Sequence, residues 1–331
     1  MLLAVGTAVL WLALAPLGAL PGPVKISAVV IGVAAMYLGL REVGRAVWGP
    51  EWDGVMWLAI GWLAGLSLAA VFADALPLSE HVDISKTLAE PGNTRPDLLS
   101  AHPLGTNNFS LDLLARSIHG ARISLPTAML AISVTLIVGG STGIIAGLRR
   151  GWFDRTTGML TDSLLAFPAI VLLVALATIA GIPDSAPEAI WKSGVALGFV
   201  GIPTMVRLAR SLTLGLANSE FVLASRVLGA SRRQVVVADV LPNVAPALLS
   251  YSLILIAVLI VAEGSLAFIG LGLQPPTPTW GSMIAEGDFT TLAEHPHIPL
   301  VPGAFMLITV LSLNLLGERA TAKWNPSESQ L

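Results

Sequence analysis

Long apolar stretches recur along the whole chain and are separated by short polar segments. A helix needs about 20 mostly apolar residues to cross the hydrocarbon core of a bilayer. Eight stretches approach that length, at 2–20, 25–40, 55–76, 124–148, 158–181, 190–211, 244–270 and 298–317. Because lipid offers no hydrogen-bond partner to an unpaired backbone group, each stretch is expected to be helical. The pattern predicts an all-α integral membrane protein with about eight spans.

The first stretch has two interpretations. A cleaved signal peptide begins with basic residues, but no Lys or Arg precedes this apolar run, and a second run follows at once. We therefore predict that residues 2–20 are retained as a span, with cleavage as the alternative.

Composition agrees with a membrane location. Hydrophobic residues make up 54% of the 331 and charged residues 12%, roughly half the charged share of a soluble domain, and the mean hydropathy is +0.79. The absence of cysteine excludes disulfides, thiolate metal sites and cysteine nucleophiles. The net charge of −3 is too small to indicate a nucleic-acid partner.

Basic residues predict the orientation of the spans. If both termini are cytoplasmic, most of the 18 Lys and Arg residues fall on the inner side. Those inner residues are Arg41, Arg45, Arg149, Arg150, Arg155, Arg207, Arg210, Arg226, Arg232, Arg233, Arg319 and Lys323. Residues 77–123 then form the longest external segment. Within it, Leu111, Leu114 and Ile118 recur at helical spacing, which suits a helix on the outer membrane surface or one packed against the spans.

The sequence between the sixth and seventh predicted spans indicates two short helices with a break between them. Asn218 or Ser219 can cap the first helix, and Gly229 can end it in a left-handed conformation. Ser231 with Gln234 forms a capping box for the second helix.

Pro242 then stops that second helix or marks the entry to the next span. Such an elbow either inserts into a groove on a partner or lies on the inner leaflet.

The same loop resembles the EAA loop of ABC importer permeases. Residues 220–231 run Glu-Phe-Val-Leu-Ala-Ser-Arg-Val-Leu-Gly-Ala-Ser, similar to the pattern of the peptide-permease branch, and Leu241-Pro242-Asn243 follows. Ser225 replaces the second Ala of the pattern, and Ala238-Asp239 stands where the family tends to have a basic residue and His. Further matches occur at 102–106, 120–125, 263–281, 302–303 and 314–317, so the resemblance extends from about residue 55 to the C-terminus.

The chain resembles the second permease subunit of dipeptide and oligopeptide importers. The resemblance implies a six-span permease domain at 51–331, with an external segment at 77–123 and a cytoplasmic coupling loop at 212–243. Residues 1–50, with two more predicted spans, form an extension outside that pattern. The implied location is the cytoplasmic membrane of a prokaryote.

The resemblance also implies partners. They are a sister permease that completes a heterodimer, two P-loop ATPase subunits or domains, an external substrate-binding protein and the lipid bilayer. ATP and Mg would bind to the ATPases, because this chain has no Gly-x-x-x-x-Gly-Lys-Ser/Thr loop. We therefore expect no enzyme activity and no cofactor here, with coupling to ATP hydrolysis through Glu220, Ala224, Ser225, Arg226, Gly229, Ala230 and Ser231.

Glu263 lies within the seventh predicted span. Charges at membrane depth are costly and usually face a cavity or a partner. We expect Glu263 to line the transport path or to lie at a subunit interface, although a hydrogen-bonded position near the outer end of the span is the alternative. In the fourth span the small residues of 139–143 favour close helix packing over a ligand site.

The external side raises two further possibilities. His295-Pro296-His297 could ligate a metal, although exposed loop histidines are the more common case. The proline-rich connector 274–278 is either a plain loop or a contact for the binding protein.

Two other transport functions remain open from the sequence. They are import of nickel or another small solute by the same architecture, and ion-coupled secondary transport, which favours inverted repeats that this chain lacks. A membrane scaffold without transport would leave the EAA-like elbow unexplained.

Overall fold

The computed structural model describes residues 53–97 and 99–324, together with the isolated positions 42, 43, 47 and 49. The predicted spans at 2–20 and 25–40 lie outside the described residues. The chain divides into two compact units, Met1–Gly61 and Trp62–Leu331. The second unit contains the contacts that position the candidate site.

Helices make up most of the described residues, which include one isolated bridge between Thr106 and Asp112 but no β-strand. The all-α prediction is therefore confirmed. In chain order the helices are Gly54–Val71 (α1), Ile84–Thr87 (α2), Leu113–Arg149 (α3), Gly151–Ala166 (α4), Ala169–Ala180 (α5), Ala186–Leu216 (α6), Glu220–Val227 (α7), Arg232–Phe268 (α8), Trp280–Ala285 (α9), Phe289–Glu294 (α10) and His297–Trp324 (α11).

Five of these helices are long and apolar enough to cross a membrane, namely α1, α3, α6, α8 and α11. A sixth candidate is the pair α4 and α5, whose axes differ by 93°. The predicted span at 158–181 thus corresponds to this bent pair, which is either one broken span or a re-entrant loop. Phe167 is extended, with φ −81° and ψ 138°, because the ring of Pro168 disfavours the helical conformation of the residue before it.

Helix α3 begins within the segment that was predicted to be external. Its first turns are buried, with Leu111 and Leu113 fully covered and Ile118 8% exposed. The amphipathic stretch therefore packs against the rest of the chain, and the alternative of a helix on the outer membrane surface is wrong. Asp112 caps this helix, because its carboxylate accepts a hydrogen bond from the N–H of Ala115 (2.6 Å).

Helix α8 starts in the predicted coupling loop and runs for 37 residues without a break. The prediction of a separate short second helix is therefore wrong. A π-helical turn at Val235–Val240 precedes Pro242. Proline lacks an N–H and clashes with the preceding turn of an α-helix, and the wider turn accommodates it within a continuous helix.

Close packing of α3 on α6 forms much of the core. Three glycines of α3 at intervals of four residues face α6, namely Gly139, Gly143 and Gly147. A methyl group on Gly143 would lie 2.6 Å from the carbonyl oxygen of Val206 and 2.7 Å from Cβ of Ala209. The predicted role of the small residues in 139–143, close helix packing, is therefore confirmed.

Helix α6 contributes glycines to the same interface. Gly194, Gly198 and Gly201 face side chains of α3, and a methyl group on any of them would overlap that helix. At Gly201 the overlap is with the hydroxyl of Thr135 (2.5 Å), which itself donates to the carbonyl of Gly198 (2.9 Å). Each helix thus has glycine where a side chain or carbonyl of the other helix approaches, and this lets the two helices pack closely.

We predict that Gly143→Ala lowers the free energy of unfolding by about 1–3 kcal/mol, because overpacking forces the helices apart. Gly215→Ala is the matched control, since Gly215 lies on α6 with open space around it. That change should be neutral or stabilising by up to about 1 kcal/mol, because alanine restricts the unfolded chain. Thermal unfolding of the purified chain in detergent measures both. Equal midpoints for the two variants would contradict the packing role.

Candidate functional site

The elbow comprises α7, residues 228–231 and the first turn of α8. Helix α7 ends in a Schellman motif, in which the N–H of Gly229 donates to the carbonyl of Arg226 (3.1 Å) and that of Ala230 to Ser225 (3.0 Å). Gly229 has φ +88°, a conformation that costs an L side chain about 1–2 kcal/mol. The prediction that Gly229 ends the first helix is confirmed.

Of the two side-chain capping predictions for the elbow, one is confirmed and one is wrong. The N–H of Ser231 donates to Oε1 of Gln234 (2.8 Å) and the N–H of Gln234 donates to Oγ of Ser231 (3.3 Å), so the predicted capping box is present. The predicted side-chain cap of α7 is wrong. The hydroxyl of Ser219 donates to the carbonyl of Leu216 (2.7 Å), and Oδ1 of Asn218 accepts from Arg150 (2.7 Å).

The elbow exposes apolar side chains at its tip. Val222 is fully buried and anchors α7, whereas Phe221 and Leu223 are nearly half exposed. Val227 and Leu228 are each 87% exposed. Exposure of two adjacent large apolar residues on a rigid turn is typical of a surface that a partner covers.

The predicted coupling residues all lie on this elbow, and most of them are exposed. Glu220 occupies the first turn of α7, where a carboxylate favours the positive end of the helix. Arg226 lies in the last turn, next to the break. The structure thus brings the predicted residues into one continuous surface, and their docking role stays a prediction.

A buried ion pair lies near the N-terminal end of α3. Arg116 is 1% exposed, and its Nη2 donates to Oε1 of Glu286, just after α9. Its Nη1 donates to the carbonyl oxygens of Pro276 (3.2 Å) and His81 (3.4 Å). The second carboxylate oxygen of Glu286 accepts from Nδ2 of Asn107 (2.9 Å). One guanidinium therefore ties the proline-rich connector and the external segment to α3.

Sequence reasoning did not single out this pair. The available signal was a basic residue, Arg116, in the middle of an amphipathic stretch whose apolar positions are buried. Its partner could not be identified, because 170 residues separate Arg116 from Glu286.

Glu263 lies on α8, faces α3 inside the chain and is 5% exposed. The hydroxyl of Ser124 donates to its Oε2 (3.1 Å) and accepts from the N–H of Trp280 (3.4 Å). Trp280 is fully buried and donates from Nε1 to the carbonyl of Ser117 (2.9 Å). The predicted role of Glu263 in the path or at a subunit interface stays a prediction.

A cavity of about 510 Å³ lies among α5, α6, α8 and α11. Its lining is mainly apolar, and Thr204, Ser265 and Asn314 supply polar groups. Ser265 follows Glu263 by two residues, yet only Ser265 lines the cavity. Helix α8 therefore presents the serine to the cavity and the carboxyl to the interior of the chain.

Four of the five histidines that were predicted to be external lie in two pairs. His81 stacks on His119 with ring centroids 3.6 Å apart, and partial burial lowers the pKa of His81. His295 and His297 lie with ring centroids 6.0 Å apart. Throughout the part of the chain that the structure describes, no group of three or more His, Asp or Glu side chains could hold a metal ion.

Comparison with known proteins identifies the family. Residues 139–327 match the family described as "Binding-protein-dependent transport system inner membrane component". The chain belongs to this family. The matched part includes the elbow, Glu263 and Glu286, whereas Arg116 and the external segment precede it.

Relatives of this permease include two transport proteins with stated cargo. It is 33% identical to the glutathione transport system permease protein GsiD of Pectobacterium atrosepticum, over 66% of this chain and 70% of that protein. It is 30% identical to the dipeptide transport system permease protein DppC of Alkalihalophilus pseudofirmus, over 76% of this chain and 79% of that protein. The resemblance to ABC importer permeases is thereby confirmed.

The fold also matches a solved ABC transporter. A chain of the MetNI methionine ABC transporter, in inward-facing conformations, superposes with a TM-score of 0.52 at 19% identity. The match covers 64% of this permease and 96% of that chain. The permease is therefore a multi-pass membrane component of an ABC importer.

We predict that Glu286→Ala destabilises the fold by about 3–5 kcal/mol, because it leaves the guanidinium of Arg116 buried without a counter-charge. The double variant Arg116→Met/Glu286→Leu should lose less, since it leaves no unpaired charge. Asp74→Ala is the control. It breaks an exposed ion pair with Arg122 (2.8 Å), and exposed pairs contribute little. Unfolding in detergent ranks the variants. A loss from Glu286→Ala as small as that of the control would be inconsistent with a buried pair.

We predict that the external segment is sensitive to acid through Glu80. The backbone N–H of Asp83 donates to this carboxylate, and with Lys86 and two further N–H groups it lowers the pKa of Glu80 from 4.5 to about 2. A carboxyl with a lowered pKa stabilises the fold above its ordinary pKa, and this contribution disappears as the pH falls from about 4.5 to 2.

Unfolding midpoints measured across that pH range test the prediction. Glu80→Gln should show a smaller loss of stability on acidification than the wild type. Glu294→Gln, a change at an exposed carboxylate of α10, should retain the wild-type slope. The same slope in all three proteins would refute the role of Glu80.

Proposed function

We propose that this permease is one half of the membrane pathway of an ATP-driven importer for dipeptides, oligopeptides or a related small peptide such as glutathione. The relatives named for dipeptide and glutathione transport support this cargo. A sister permease would complete the pathway, two ATPase subunits would bind ATP and Mg, and an external binding protein would deliver the peptide. Residues 51–331 would form the permease domain, and residues 1–50 an extension of it.

One observation carries the coupling part of this proposal, namely the exposed apolar tip of the elbow. Burial of a Val or Leu side chain contributes roughly 1.5–3 kcal/mol, so Val227 and Leu228 offer a partner a substantial contact. The basic residues Arg226, Arg232 and Arg233 adjoin this tip, which supports a cytoplasmic position of the elbow by the positive-inside rule. The ATPases lie on that side in such an importer.

The continuity of α8 supports a mechanical link. Its N-terminal cap, Ser231, belongs to the elbow, and the same helix then crosses the membrane to Phe268. A movement of the elbow driven by ATP binding would therefore act directly on a span that lines the cavity at Ser265. This is a two-state element biased by a ligand on another subunit.

The cargo cavity is proposed at the 510 Å³ space among α5, α6, α8 and α11. Its few polar groups, such as Thr204 and Asn314, suit a path that passes peptides without strong binding. Specificity would then belong to the binding protein. Family membership favours this importer over the ion-coupled transporter that the sequence left open.

We predict that Gly229→Leu uncouples ATP hydrolysis from uptake, because a side chain in the left-handed conformation strains the turn at the centre of the elbow. Membrane insertion should stay intact, because the space around Gly229 is open. Gly215→Leu is the control, since its surroundings are also open. Uptake of labelled peptide and ATP hydrolysis are measured together in proteoliposomes that contain the whole complex. Normal uptake by Gly229→Leu would sink the coupling role.

We further expect Val227→Ser/Leu228→Ser to weaken co-purification of the ATPases at least about tenfold, given the apolar burial that is lost. Leu99→Ser provides the control, because Leu99 is 97% exposed but lies in the external segment.

Mass spectrometry of the wild-type complex from native membranes identifies its partners. The recovered binding protein is then titrated with dipeptides, glutathione and nickel. Purification of the permease alone would overturn the importer assembly, and binding of nickel alone would overturn the peptide cargo.

A further inference from the structure

A second cavity, of about 710 Å³, lies beside the elbow between the ends of α3 and α8. Apolar side chains form part of its lining, among them Ile145, Leu148 and Val236. Four arginines share the same lining, and no acidic residue does. These arginines, called the arginine rim below, are Arg149, Arg226, Arg232 and Arg233.

The charges of the arginine rim are not balanced within the described residues. None of its members forms an ion pair with a carboxylate there, whereas Arg122, Arg207 and Arg210 each do. The guanidinium of Arg149 lies 5.9 Å from the ring centroid of Phe153, a contact that leaves its charge uncompensated. Four like charges around one cavity repel one another, so an anion that enters it relieves the repulsion.

The cavity adjoins the predicted boundary between membrane and water. Arg149 directly follows the predicted span 124–148, and Arg232 and Arg233 line the same cavity. Ile145 and Leu148 precede Arg149 on the same span. Trp152 lies three residues after Arg149 and is 78% exposed, and tryptophan is enriched at the membrane interface.

We infer that this cavity binds the headgroup of an anionic phospholipid, with the phosphate on the arginine rim and the glycerol and first acyl carbons against the apolar lining. Basic pockets between spanning helices suit such headgroups, and guanidinium groups bind phosphate in a bidentate manner. A soluble anion would leave the apolar lining uncovered. The lipid accounts for both halves of the cavity, because its phosphate meets the arginines and its first acyl carbons meet the apolar lining.

The site has a consequence for the elbow. Arg226 belongs to α7, Arg232 and Arg233 to α8, and Arg149 to α3. One headgroup that contacts all three helices braces the elbow against the end of a span. The inference does not depend on the cargo or on the docking of ATPases, because it concerns binding of lipid to this chain.

The test titrates the purified complex in neutral detergent with phosphatidylglycerol or phosphatidylcholine and counts lipid adducts on this chain by native mass spectrometry. The wild type should bind phosphatidylglycerol more tightly than phosphatidylcholine. Arg232→Gln/Arg233→Gln should weaken binding of phosphatidylglycerol on the order of tenfold or more. Arg232→Lys/Arg233→Lys retains the charge and should restore most of the affinity.

Arg95→Gln/Arg155→Gln is the matched control. Both arginines are exposed, neither lines the cavity, and the loss of charge is the same. This variant should bind phosphatidylglycerol as the wild type does. Equal affinity of the wild type and Arg232→Gln/Arg233→Gln would overturn the site.

Two further arms distinguish the source of the anion. Inorganic phosphate and glycerol 3-phosphate should not displace phosphatidylglycerol, and displacement by either at similar concentration would indicate a soluble-anion site and overturn the lipid. Co-purification of the ATPases is followed in parallel. If Arg232→Gln/Arg233→Gln loses the ATPases but keeps its lipid affinity, the arginine rim faces the partner protein and the inference is wrong.

Discussion

The bilayer core offers the backbone no hydrogen-bond partner, so each segment that crosses it must pair its own N–H and C=O groups. Long helices follow from this constraint, and so do the ways in which they end. Pro168 interrupts the helix between α4 and α5, and Gly229 ends α7 through a Schellman motif. Where a helix has to continue past Pro242, a π-helical turn keeps α8 intact.

Helix α3 organises the rest of the molecule. Its glycine line allows close contact with α6, and that contact fixes the side chains at its two ends. Arg116 at one end holds the external segment and the connector through Glu286, and Ser124 further along meets the buried Glu263. Arg149 at the other end contributes to the arginine rim. Helix α3 thus contributes Arg116 to the ion pair with Glu286, contacts the buried carboxyl of Glu263 and contributes Arg149 to the arginine rim.

The elbow joins two kinds of surface, for which we propose different partners. Its apolar tip at Val227 and Leu228 suits a protein groove, whereas the arginine rim beside it suits an anionic lipid. Helix α8 belongs to both and reaches the central cavity at Ser265. In our proposal ATPase movement and lipid composition therefore act on the same span, because one rigid helix connects the elbow to the transport path.

The sequence by itself determined the helical class, the spans within the described residues, the end of α7 at Gly229 and the capping box at Ser231. These depend on local composition and spacing, which a single chain displays. Only the tertiary structure decided that the amphipathic stretch near Leu111 is buried, that α8 continues through the predicted second helix, and that Arg116 meets Glu286 across 170 residues. Periodicity identifies the apolar face of a helix but not its neighbour, because the partner of a buried charge is chosen by packing between distant segments.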